Sequence, residues 1–121
     1  MKSEQRACIA GIAVALTINK NVSSIYSFEL SKFIMISGTI TNQNVQIYEY
    51  SHSCHVSGNS DYNGNFNLFD YGEHKHITLS VKSNKFDGYD YGSNYHFSGT
   101  INNNSVSFYD FETRKYYNFS C

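Results

Sequence analysis

From Ile25 onward the chain alternates apolar and polar side chains at period two and contains no helical stretch. His76-Ile77-Thr78-Leu79-Ser80-Val81-Lys82 is the clearest case, the mark of a strand with one dry face and one wet face. Tyr95-His96-Phe97-Ser98-Gly99-Thr100-Ile101 repeats it, with Tyr95, Phe97 and Ile101 on one face and Gly99 leaving room for a bend or a close neighbour. Turns fall around 42–44, at Asn63-Gly64, at Asp87-Gly88 and around 102–104, on residue types that tolerate the positive φ of tight hairpins. The pattern predicts strands near 25–30, 33–41, 45–50, 54–58, 65–70, 76–82, 85–90, 94–102, 105–111 and 115–120. With no long crossover among them, the expected fold is all-β: an antiparallel meander of eight to ten short strands, closed as a small barrel or packed as a sandwich.

An acidic residue lies between two aromatics four times, at Tyr48-Glu49-Tyr50, Phe69-Asp70-Tyr71, Tyr89-Asp90-Tyr91 and Tyr109-Asp110-Phe111. The interval is about twenty residues, room for two strands and two turns, so the repeat unit is a β-hairpin and 25–121 is one domain of about four such units. The run of short aromatic hairpins resembles one seen in small bacterial proteins, a resemblance that implies no activity. Each acid continues an apolar strand face: Val45, Ile47 and Glu49 share a face, as do Phe66, Leu68 and Asp70. A carboxylate there needs a partner. Either it caps the turn that follows, or the four acids converge at one barrel end and offer oxygen ligands to a cation such as calcium.

Residues 1–24 differ from the rest. Lys2 and Arg6 precede twelve uncharged residues, 7–18, and a polar stretch follows, which is the outline of a signal peptide. The expected location is then secreted or periplasmic, otherwise cytoplasmic. The run is too short to span a bilayer as a transmembrane helix, which needs about twenty apolar residues. The other reading of the same residues is a buried first helix or strand of the domain.

Composition narrows the function. A chain of 121 residues can bury roughly two thirds of its unfolded surface, enough for a core without staples. Trp and Pro are absent, and eleven Tyr and nine Phe carry much of the large apolar surface. Net charge is −1 with the nine basic residues dispersed, which gives no field for a phosphate backbone, so nucleic acid is not an expected partner. No glycine-rich phosphate loop, nucleophile elbow or zincin helix is present, and neither an enzyme nor a cofactor is expected. Cys54 beside His55 is no dyad, because strand neighbours point to opposite faces. Asp61-Tyr62-Asn63-Gly64-Asn65 reads as a hairpin turn rather than a calcium loop, whose closing Glu it lacks.

Three candidate sites remain. Cys54 and Cys121 form an even pair if the leader takes Cys8 with it; a disulfide between them would close a loop of about 66 residues and stabilise by roughly 4 kcal/mol. The alternative is two reduced thiols. His52 with Cys54, and His74 with His76, each share a strand face and offer metal ligands, against the alternative of histidines on wet loops. Tyr62, Tyr71, Tyr89, Tyr91 and Tyr95 lie on or near turns in a chain rich in Asn and Ser, the composition of surfaces that bind a partner protein or a glycan. The expected function is a small exported binding domain. A metal-binding β-domain and a structural or self-associating module, using unpaired strand edges, are the alternatives.

Overall fold

A computed structural model describes residues 1–121. One helix, α1 (Ser3–Ile18), precedes ten strands: β1 (Ser24–Ser27), β2 (Lys32–Ile40), β3 (Asn44–Glu49), β4 (Cys54–Ser60), β5 (Asn65–Asp70), β6 (Lys75–Lys82), β7 (Lys85–Asp90), β8 (Tyr95–Asn102), β9 (Ser105–Asp110) and β10 (Lys115–Ser120). Every strand runs antiparallel to its neighbours, and β10 pairs with β1 to close a barrel. The closing pair is short, with Tyr26 opposite Ser120 and Ser27 opposite Phe119. Closure gives every strand a neighbour on both sides.

The alternation read from sequence sorts the barrel wall. Ile34, Ile36, Val45, Ile47, Val56, Leu68, Ile77, Leu79, Phe86, Phe108 and Phe119 are buried inward, while Gln46, Asn67, Thr78, Asp87 and Asn118 alternate with these lumen residues along their strands. A barrel of about eight strands is just filled by its own side chains. Ten strands enclose more space, and α1 fills it. The helix touches β1 and β2 on one side and β6, β8 and β9 on the other. Every residue from Arg6 to Ala15 is buried, so no face of those turns meets water.

Small side chains let the helix fit. Ala7, Ala10, Gly11, Ala13 and Ala15 narrow the cylinder, and a Cβ on Gly11 would stand 2.8 Å from Cδ1 of Ile25. At its start, Lys2 has no side-chain acceptor to cap the helix, and only the return bond forms, from the Lys2 N–H to Gln5 Oε1 at 2.7 Å. At its end, Asn19 adopts φ 57°, a left-handed stop suited to Asn. Of the two sequence readings for this segment, the buried helix is the conformation observed.

Glycines shape the wall where aromatics cross the lumen. A Cβ on Gly99 would lie 2.2 Å from Cζ of Phe86, and one on Gly88 would lie 2.5 Å from Cζ of Phe97. Those rings rest on bare backbone, and Phe97 in turn stacks on Phe108 with centroids 5.3 Å apart and planes 13° from parallel.

Candidate functional site

The four acids are all buried, at the lumen side of one barrel end, each as the last residue of its strand. The strands do not bulge before them. Instead each acid does both of the things its position allows. One oxygen caps the following turn: Asp70 Oδ1 accepts the Gly72 N–H at 2.9 Å, Asp90 Oδ1 that of Gly92 at 3.0 Å, and Asp110 Oδ1 that of Glu112 at 2.9 Å. Glu49, longer by a methylene, reaches one residue further and accepts the His52 N–H at 2.7 Å. The other oxygen faces the first turn of α1. Gln5 Nε2 donates to Asp70 Oδ2 at 2.7 Å, Arg6 Nη1 donates to Asp110 Oδ2 at 3.1 Å, and the Met1 amino group lies 3.9 Å from Asp90 Oδ2 and 2.6 Å from Glu112 Oε1.

A fifth copy of the motif carries no acid. Tyr26-Ser27-Phe28 precedes Glu49 by the same interval, Ser27 is fully buried, and its Oγ accepts the Leu30 N–H at 3.2 Å. Four residues after each of Ser27, Glu49, Asp70, Asp90 and Asp110 stands a non-glycine residue at positive φ: Ser31, Ser53, His74, Asn94 and Arg114. The sequence signal was the aromatic pair at the right spacing. The missing charge hid it.

Arg6 is the centre of the polar end. Its Nη2 reaches Glu29 at 3.2 and 3.3 Å and Ser3 Oγ at 3.2 Å, and its guanidinium carbon lies 3.8 Å from the centroid of the Tyr117 ring. The acids therefore gather, as a cation site would require, but Arg6 and Gln5 of the helix and the Met1 amino group before it stand among them. No three His, Cys, Asp or Glu side chains are grouped so as to hold a metal ion.

Of the proposed metal ligands, His52 and Cys54 line one cavity, whereas His74 and His76 part. His52 sits at the lumen side near Glu49, with Nδ1 3.5 Å from Glu49 Oε1. His74 is a turn residue at φ 55°, and His76 lies on the outer wall with its ring against Phe69 and its Nδ1 3.2 Å from Asn67 Oδ1. The pairing of Cys54 with Cys121 is corrected by the register. Cys54 opposes Glu49 at the acid end, whereas the Cys121 N–H bonds Asn104 O at the other end, a strand length of about 20 Å away. All three cysteines are free thiols. Burial, then the charges of Asp70 and Glu49, push Cys54 up to about 11; burial alone takes Cys121 to about 11, and burial raises Cys8 well above its ordinary value.

On the outside, the same repeat builds an aromatic belt. Tyr89 packs edge-on against Tyr91 and His96, both at 4.8 Å between centroids, and Tyr109 does so against Phe111 and Tyr116, also at 4.8 Å. Equivalent clusters form at Tyr26, Tyr48 and Phe69. Tyr71, Tyr89 and Tyr91 belong to this belt. Tyr62 does not: it is exposed at the opposite end, in a turn held by Asp61. Tyr95 opposes Asp90 at the rim, on the strand face of Phe97. Sequence reading missed Tyr109, Phe111, Tyr116 and His96, which complete the belt.

Beside the belt the outer wall is hollowed. A groove of about 820 Å³ is bounded by Tyr109, Phe111 and Tyr116 and floored by Asp87, Ser98, Thr100 and Ser107. A second hollow, of about 420 Å³, lies between Tyr89, His96 and Phe111, over Thr78, Asp87 and Ser98. No helix is long and apolar enough to cross a membrane. No protein-family model, curated protein or solved structure matches this chain.

Proposed function

We propose that this barrel is a non-enzymatic binding domain whose outer wall takes a carbohydrate chain. The observation that carries the reading is the groove across β6–β10, lined by Tyr109, Phe111 and Tyr116 together with short polar side chains and the two lysines Lys82 and Lys85. Sugars present C–H faces that pack on aromatic rings, and hydroxyls that need both donors and acceptors. Ser98, Thr100 and Ser107 supply both, and Asp87 supplies acceptors. The belt also continues around the barrel at the spacing of the hairpins, so a chain of repeating units can meet repeated contacts. Ser, Asn and Tyr are moreover the residues with which adaptable polar binding surfaces are built.

The test is a glycan array followed by titration of any hit with the wild type and with a Tyr109→Ala, Tyr116→Ala variant. Both side chains are on the outer wall, so the expected result is a loss of affinity of tenfold or more, with the cooperative thermal transition retained. A wild type that binds no glycan, or binds one equally well without the two rings, sinks the reading. Capture of a protein partner through the same groove, with no glycan bound, would replace it with the other class of ligand.

A further inference from the structure

We propose that a second site lies inside the acid end of the barrel, where a cavity of about 200 Å³ between the first turn of α1 and the β3–β4 and β5–β6 turns takes a small primary ammonium on a short carbon chain.

The ring of acids is not neutralised evenly. Asp110, Asp90 and Glu29 share Arg6 and the Met1 amino group, and Asp70 receives the Gln5 amide. Glu49 receives nothing from the helix. Its side chain is 1 % exposed, its Oε2 is used by the His52 N–H, and its Oε1 has no hydrogen-bond partner. Glu49 is one of the residues that line the cavity, whose other carboxylates are Glu4, Asp70 and Glu73. The only basic side chains that line the cavity with them are Lys2 and His52. Lys2 is committed at the rim, with Nζ 2.9 Å from Glu73 Oε2. His52 Nδ1 stands 3.5 Å from Glu49 Oε1 and 3.7 Å from Glu4 Oε1, too far from either for a strong hydrogen bond. A buried carboxylate oxygen without a donor is costly, and charge of the opposite sign is what relieves it.

The chemistry of the walls selects the ligand. An ammonium has three N–H donors that can reach acceptors spread around a cavity, Glu49 Oε1 on the barrel and Glu4 on the helix. A divalent metal instead needs several ligands converging at about 2.0–2.6 Å, and no such group exists here. Cys8, Cys54 and Val56 form the apolar part of the wall, and thiols that stay protonated behave as small apolar groups suited to an alkyl chain. This site is separate from the outer groove and stands or falls without it.

Calorimetric titration of the whole chain with butylammonium tests the site. Saturable one-site binding with Kd of about 1 mM or tighter is expected, with no saturation by tetramethylammonium, which has the charge but no N–H, over the same range. Glu49→Gln should weaken butylammonium at least tenfold. Should that variant fail to fold, Glu4→Gln, on the helix's first turn, should weaken it severalfold, while Asp61→Asn at the opposite barrel end leaves it unchanged. Equal binding of tetramethylammonium, indifference to Glu4→Gln, zinc binding in place of butylammonium, or no saturable binding at all would each overturn the proposal.

Discussion

Arg6 Nη1, from the first turn of the helix, lies 3.1 Å from Oδ2 of Asp110 at the end of β9, and both side chains are buried. The pair ties the filling of the barrel to its wall. The same carboxylate holds the turn beyond β9 through its other oxygen, so helix and hairpin share one charge.

Breaking that pair on one side leaves a charge without a partner in a dry place. Arg6→Met should therefore cost about 3–5 kcal/mol in urea unfolding, and Arg6→Lys less, because an ammonium keeps the charge but loses the fork that reaches both Asp110 and Glu29. Combining Arg6→Met with Asp110→Asn should recover part of the loss. A double-mutant cycle measures the coupling, and additive losses would show that the two side chains act independently.

The repeated turns make a second expectation. His74 and Arg114 hold φ 55° and 58°, a region that costs an L side chain roughly 1–2 kcal/mol and glycine nothing. Against this, glycine loses more backbone freedom on folding, roughly 0.5–1 kcal/mol. His74→Gly should thus raise stability by several tenths of a kcal/mol, whereas His74→Val should lower it by about 1 kcal/mol or more, since a β-branched residue fits this region worst. Equilibrium denaturation of both variants checks the sign. Losing stability on His74→Gly would mean that the imidazole contributes something the turn geometry does not.

The alternation of side chains was enough to place the strands because period two is a local property, and all ten lie within a few residues of where the pattern puts them. The destination of the acids was half legible. Their placement on an apolar face was evident from Val45, Ile47 and Glu49, but their partners, Gln5 and Arg6, lie up to 104 residues away, and local pattern carries no such information. The N-terminal run was ambiguous for a physical reason. An export leader and a helix threaded through a barrel both require small and apolar residues, so Ala7, Ala10 and Ala13 satisfy either. The fifth repeat was missed because Ser27 caps its turn with a hydroxyl where the others use a carboxylate. The belt was read only in part because Tyr109, Phe111 and Tyr116 become neighbours of Tyr89 only when β7 to β10 are laid side by side.

The thiols predict a pH response. Cys54 and Cys121 are both pushed from an ordinary 9.0 up to about 11, so between these values the folded chain holds protons that the unfolded chain has lost. Stability from these groups is therefore fully present below pH 9 and falls as pH rises toward 11. The informative quantity is a difference between variants. The decline in urea midpoint over this range should be shallower in Cys121→Ala than in the wild type, and an identical slope would count against it. At neutral pH the same burial keeps the thiolate scarce, and alkylation of the folded protein should be slower than of the urea-unfolded chain.

The last expectation concerns the helix as a whole. Removing residues 1–24 would strip the lumen of ten buried residues, Arg6 to Ala15, and leave Asp110 without its guanidinium. Ten strands cannot collapse onto the space without changing strand number or tilt, because these are linked to the barrel's diameter. Residues 25–121 alone should accordingly lose the cooperative unfolding transition and bind a dye specific for exposed apolar surface, while keeping strand content in far-UV circular dichroism. Adding residues 1–24 as a separate peptide should restore the transition, since the contacts of α1 require its burial and not its covalent link. Should 25–121 unfold cooperatively with the stability of the full chain, the helix would be dispensable to the barrel, and the first turn of α1 would have to be removed from the account of how Asp70 and Asp110 are accommodated.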